Sequence, residues 1–145
     1  MRLIDIKGEV EMIKFVNLDE LRPNNWFIDK AKLNRIREIW QRGDQHLLPA
    51  VAVTIIDNEF CLFDGHCRAY VALENGAGVI LADIIETSDL ACNLEWLIIF
   101  HKQGPFIGVK TVGDLGRRIV EYKETDDRST HISRRLKLRK MEEVG

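Results

Sequence analysis

Residues 60–76 read F-C-L-F-D-G-H-C-R-A-Y-V-A-L-E-N-G. Phe60–Phe63 is a short apolar run with the length and composition of a buried strand. Asp64-Gly65 is a turn signal, and His66 to Asn75 then shows helical spacing, with Gly76 as a stop. The strand therefore delivers a helix N-terminus whose first turn carries His66, Cys67 and Arg68. Unpaired backbone N–H groups and the positive end of the helix dipole point outward there, an arrangement that suits an anion. Arg68 adds a planar fork matched to phosphate oxygens.

Outward from this stretch, local signals predict a small mixed α+β fold. Leu3–Ile6 and Met12–Val16, separated by Gly8, read as a hairpin or two short strands. Leu18–Asn25 is turn-rich, and Pro23 disfavours helix before it. Asp29 reads as the cap of a helix whose inner face carries Ala31, Ile36, Ile39 and Trp40 and which stops before Gly43. Pro49 leads into a β-branched strand, Ala50–Ile56. Asp57-Asn58 then turns tightly into Phe60–Phe63, so the pair reads as a hairpin. A last strand, Val79–Ile85, follows the His66 helix. The expected organisation is a domain over 1–87, a helical extension over 88–124 and a polar tail over 125–145. In the extension, Leu90, Leu94, Leu97, Ile98 and His101 lie at helical spacing behind a Ser88 or Asp89 cap. Gly104-Pro105 ends that helix. Thr111 caps a second one, with Val112, Leu115, Ile119 and Tyr122 on one face, which completes a C-terminal helix pair.

Composition narrows the classes of function. A net charge of −2 gives no whole-protein pull toward nucleic acid. The basic run Arg134, Arg135, Lys137, Arg139 and Lys140 has no interleaved aromatic, so it does not read as a base-stacking surface. The 3 cysteines are odd in number and irregular in spacing, which fits neither a disulfide framework nor a zinc site. Cys61 and Cys92 read as buried small hydrophobes. His46, His101 and His131 are scattered and form no ligand set. Charged residues interrupt every apolar run, so no membrane span is expected and the chain reads as cytoplasmic.

Three ordered pieces carry a resemblance. They are Leu18-Asp19-Glu20-Leu21-Arg22-Pro23-Asn24-Asn25 with Asp29–Leu33, then Pro49 opening a β-branched strand, then Asp64-Gly65-His66-Cys67-Arg68-Ala69 running to Glu74-Asn75-Gly76. Together they resemble the amino-terminal domain of the ParB and sulfiredoxin superfamily, over about Phe15 to Glu86. The resemblance implies a helix N-terminus that grips nucleotide phosphates, with ATP, ADP or CTP as ligand and Mg2+ as its companion.

The branches of that superfamily imply different activities. Sulfiredoxins use ATP to repair an over-oxidised cysteine and carry Gly-Cys-His-Arg. Their nucleophile falls on His66, while Cys67 sits one residue along, rotated by about 100° on a helix. ParB proteins bind CTP and clamp DNA, but no helix-turn-helix pattern follows Glu86, and sequence-specific DNA binding is not expected. Free-serine kinases carry Asp-Gly-His-His-Arg, which Asp64, Gly65, His66 and Arg68 match. In that comparison Asp64 is a candidate base or magnesium ligand, or simply the helix cap. The kinase glutamate after the proline is replaced by Asn25, which cannot take a proton, and neither Glu20 nor Asp29 is in the matching position. Lys32 falls where sulfiredoxin has a phosphate-binding lysine, and Arg35, one turn on, shares its face. The expected ligand set is thus Gly65, His66, Cys67, Arg68, Lys32 and Arg35. A regulatory or interaction role is the first reading and a small-molecule phosphotransferase the alternative. Leu94, Leu97 and Ile98 are a candidate face for a homodimer or another protein.

Overall fold

The computed structural model describes residues 2–4 and 10–121. The basic run and Tyr122 lie outside the described residues. The first elements are strands β1 (Arg2–Ile4), β2 (Val10–Asn17), β3 (Leu21–Pro23) and β4 (Ile28–Asp29), followed by helix α1 (Lys30–Gln41). The hairpin β5 (Val51–Ile56) and β6 (Glu59–Asp64) precedes helix α2 (His66–Glu74) and strand β7 (Val79–Ile84). Helix α3 (Leu94–Gln103) and strand β8 (Ile119–Val120) complete the set.

Six strands form one mixed sheet in the order β1-β2-β7-β5-β6-β3, while β4 pairs with β8 in parallel. The hairpin turn forms as the sequence predicts. Asp57 and Asn58 both take positive φ, which two-residue hairpin turns of the tightest type require. Strand β5 pairs antiparallel with β6 on one side and parallel with β7 on the other. It is the central strand, and Val51 and Val53 are wholly buried. β1 pairs antiparallel with β2.

Neighbouring residues on β6 point to opposite faces of the sheet. Leu62 packs with Ala69 and Ala72 of α2, whose small side chains let the helix lie close to the strands. Cys61 packs on the other face with Ile56 and Leu97 of α3. A further cluster joins Trp26, Leu33 and Val71 to Phe100, Ile107 and Leu115. The segment after Glu86 thus shares a core with α1, α2 and the loop after β3.

Several expectations are corrected here. The capping aspartate of α1 is Asp29, whose side chain accepts from the Ala31 N–H; Ile36 and Trp40 pack inward as expected, but Leu33 is the buried residue and Ala31 is exposed. α3 begins later than its spacing suggests. Asn93 caps it, not Ser88 or Asp89, and a short 3-10 turn occupies Thr87–Asp89. Cys92 consequently falls before the helix and is exposed rather than buried. The second member of the C-terminal helix pair is not an α-helix. Val112–Arg117 is a 3-10 segment started by Thr111, and Ile119 leaves it to join β8. Asp114 fixes that start. Burial pushes its carboxyl up, yet the Lys110 and Thr111 amides that donate to it win and hold it below the usual range. Of Leu94, Leu97 and Ile98, read as a dimer face, Leu97 is buried against Ile56 and Cys61 of its own sheet, with Ile98 partly covered beside it.

Between α1 and α2, Arg37 makes a bidentate pair with Glu74, with Nε–Oε1 and Nη2–Oε2 both 2.8 Å. The Arg37 hydrogen bond lowers the Glu74 carboxyl from its ordinary value. A depressed carboxylate stabilises the fold above its unfolded pKa of about 4.3, and that contribution is lost as pH falls through the folded value. Both side chains are about one-third exposed (32% and 34%), so solvent discounts the pair. A double-mutant cycle with Arg37→Ala and Glu74→Ala, read by urea denaturation, is expected to give a coupling of about 0.5–1 kcal/mol at pH 7. The same cycle at pH 3 should give less. An equal coupling at both pH values would contradict the ion-pair account.

Candidate functional site

β6 runs into α2 through Gly65, which stands at the N-cap position with φ +98°. A side chain there would be strained, and it would also collide with its surroundings. A Cβ on Gly65 would lie 2.6 Å from Val51 Cγ1 and 2.7 Å from Arg68 Nη2. The glycine thus lets the turn sit on the central strand while the Arg68 guanidinium crosses the start of the helix. No side chain caps α2, and its first backbone bond runs from the Ala69 N–H to the Gly65 oxygen. The capping role considered for Asp64 is therefore not realised.

His66 is turned into the protein. It is buried, and its Nε2 accepts from two backbone amides, those of Asn24 at 3.2 Å and Asn25 at 3.0 Å. A nitrogen that accepts twice carries no proton, so the ring is the Nδ1–H tautomer. Its Nε2 is committed to the loop after β3 instead of facing an anion. Asn24 extends the connection, because its buried Nδ2 donates to the Leu97 carbonyl at 2.8 Å and contacts Cys61 Sγ at 3.4 Å. Asn25 sits against the start of α2 and closes a local turn in which its Oδ1 accepts from the Phe27 N–H at 3.5 Å.

The remaining expected residues converge around Cys67. The thiol packs beside the cluster of Trp26, Leu33 and Val71, and it feels the positive charges of Lys32, Arg68 and Arg35 and the negative charge of Asp29. A helix N-terminus and nearby cations ordinarily acidify a thiol. Burial wins instead and pushes the Cys67 thiol up to about 11, despite the three cations. Lys32 and Arg35 are exposed on the first turns of α1. Arg68 is mostly covered, with its Nη2 3.5 Å from Asp64 Oδ2, while its Nε is buried with no hydrogen-bond partner. Asp64 projects into solvent, with 74% of its side chain exposed.

Sequence reasoning brought Lys32, Arg35, Gly65, Cys67 and Arg68 to one place. It missed Asn24 as the residue that holds the loop to both α2 and α3. The signal available was an asparagine after proline, which reads equally well as a solvated turn. It also missed Val51, whose contact with Gly65 is set by strand register. Among the described residues no group of three or more acidic, histidine or cysteine side chains could hold a metal ion. No described helix is long and apolar enough to cross a membrane.

No family model matches the chain, and neither does any curated protein. Solved structures do. Protein Atu1540 from Agrobacterium tumefaciens matches with a TM-score of 0.52 and 20% identity, over 72% of this chain. The chain spans only 62% of the length of Atu1540, and the likeness is one of fold alone. Sulfiredoxin from Arabidopsis thaliana matches 52% of this chain and 85% of its own, with a TM-score of 0.42 and 23% identity. A Pnob8-like ParB-N domain matches 90% of this chain and 45% of its own, with a TM-score of 0.42 and 13% identity. The fold is a mixed α+β arrangement, as the sequence leads one to expect, and Atu1540 shares it.

Two outcomes follow from the local geometry. Gly65→Ala is expected to destabilise the fold by about 1–3 kcal/mol in denaturant melts, through positive φ and the Val51 clash together. With its thiol pushed up to about 11, Cys67 is almost wholly protonated at pH 8, and the thiolate is the reactive form. Brief treatment of the native protein with iodoacetamide should therefore label Cys92 and spare Cys67 until denaturant is added. Rapid native labelling of Cys67 would show that the cations, not burial, decide its chemistry.

Proposed function

We propose that this chain is a cytoplasmic nucleotide-phosphate-binding domain, with a regulatory or interaction role rather than a phosphotransferase role. The observation that carries the reading is Arg68. Its guanidinium lies across an uncapped helix start that Gly65 keeps clear, and its Nε is buried without a partner. Buried polar groups in folded proteins are nearly always paired, so such a donor fits a ligand oxygen. Lys32 and Arg35 bring two more positive charges to the same neighbourhood. A nucleotide phosphate, with or without Mg2+, would be held by Arg68, Lys32, Arg35 and the backbone of the first turn of α2. His66 contributes by holding the loop beside them.

Transfer of a phosphoryl group needs a positioned base at the acceptor hydroxyl. Asn25, in the place of the kinase glutamate, cannot supply one, and Asp64, with 74% of its side chain exposed and one long contact to Arg68, is not a firmly positioned base. Binding is therefore the reading these residues support best.

Isothermal titration with ATP, ADP and CTP, each with and without Mg2+, tests the proposal. Binding of at least one nucleotide below millimolar is expected. Arg68→Ala should weaken it by about tenfold or more, the size of a lost charge-assisted contact. Absence of binding at millimolar nucleotide would overturn the reading.

A further inference from the structure

Two arginine–carboxylate pairs flank α2, and they are built differently. Arg37 and Glu74 meet through two bonds of 2.8 Å, the geometry of a pair that fixes one helix to another. Arg68 and Asp64 meet through a single contact of 3.5 Å, with the arginine largely buried (17% exposed) and the aspartate 74% exposed. The acid precedes the base by four residues, the favourable order beside a helix N-terminus. The long single contact leaves the Arg68 fork mostly unused, and its Nε has no partner at all. Arg68 is held in place by burial and only weakly by Asp64.

We propose that Asp64 is a built-in competitor for the anion site: its carboxylate occupies Arg68 in the folded chain, and a phosphate binds by displacing it. The proposal rests on the nucleotide-phosphate reading above. A carboxylate in water gains little from one long contact with a guanidinium. A phosphate oxygen at the helix start would take the same N–H groups with added charge and a second bond. Asp64 thereby lowers affinity for an anion, and more for one of greater charge, since the carboxylate and the incoming ligand repel. The side chain acts through Arg68 and is a positioning residue, distinct from the base or magnesium ligand that the motif comparison suggests.

The test compares wild type, Asp64→Asn and Arg68→Ala by calorimetric titration with ADP at low ionic strength, without divalent cations. A second readout is the NMR signal of the Arg68 Nε–H group before ADP is added. Asp64→Asn should shift that signal and tighten ADP binding by about two- to fivefold, as expected for loss of one exposed competing charge. Arg68→Ala should weaken binding. If wild type binds and Arg68→Ala does not, but Asp64→Asn binds no more tightly than wild type, the competition is refuted while the anion site stands. If none of the three binds ADP, the anion-site reading fails and the competition with it.

Discussion

Two backbone amides end on one imidazole nitrogen, and the arrangement of three elements depends on it. The Asn24 and Asn25 N–H groups both reach His66 Nε2, which sits in the first turn of α2. Each such bond contributes about 1 kcal/mol net, and leaving either amide buried and unpaired would cost about 1–3 kcal/mol. The loop after β3 is therefore fastened to the helix start by a residue whose neighbours Gly65 and Arg68 face the proposed ligand. Asn24 passes the connection on, since its side chain grips the Leu97 carbonyl of α3. A polar link through the interior joins both faces of the sheet at the place where the helix begins.

The same region shows which electrostatic effect wins when several compete. Cys67 lies at a helix N-terminus with Lys32, Arg68 and Arg35 nearby, conditions that favour a thiolate. Yet the sulfur is packed beside Leu33 and Val71, and desolvation outweighs the cations. Among the described residues, Asp29 is the anion felt at Cys67 and Asp64 meets Arg68. Burial, not the cations, keeps the thiol protonated, and the cations stay available to the proposed ligand.

The elements that were legible in the sequence are those whose signals are local. Asp57-Asn58 can take positive φ, Gly76 can end a helix, and Asp29 can cap one, wherever the rest of the chain goes. The stretch after Glu86 was misread because its conformation is decided from a distance. Thr111, Val112, Leu115 and Ile119 have helical spacing, but Ile119 pairs with Ile28 instead. A Cβ on Gly116 would meet the Tyr70 hydroxyl at 2.7 Å. The glycine is there so that the 3-10 segment can close on α2. In the site, residue identities were legible from motif order, but side-chain directions were not. Only the fold shows that His66 turns inward, that Asp64 caps nothing, and that Arg68 keeps an unpaired donor.

The support of the loop also fixes how the later part of the chain bears on the site. Trp26, wholly buried, packs edge-on against Phe100 with ring centroids 4.9 Å apart, and Phe100 stacks on Trp96 at 5.6 Å. α3 thus holds the loop twice, by the Asn24 bond to Leu97 and by aromatic packing one turn on. His101, buried one turn beyond Leu97, meets Glu59 at 3.1 Å, and Glu59 also pairs with Arg22 beside the loop. A helix placed by these contacts cannot shift without moving Asn24, and Asn24 cannot move without releasing the amide bonded to His66. Residues that begin twenty or more positions after the motif are therefore part of what keeps its first turn in register.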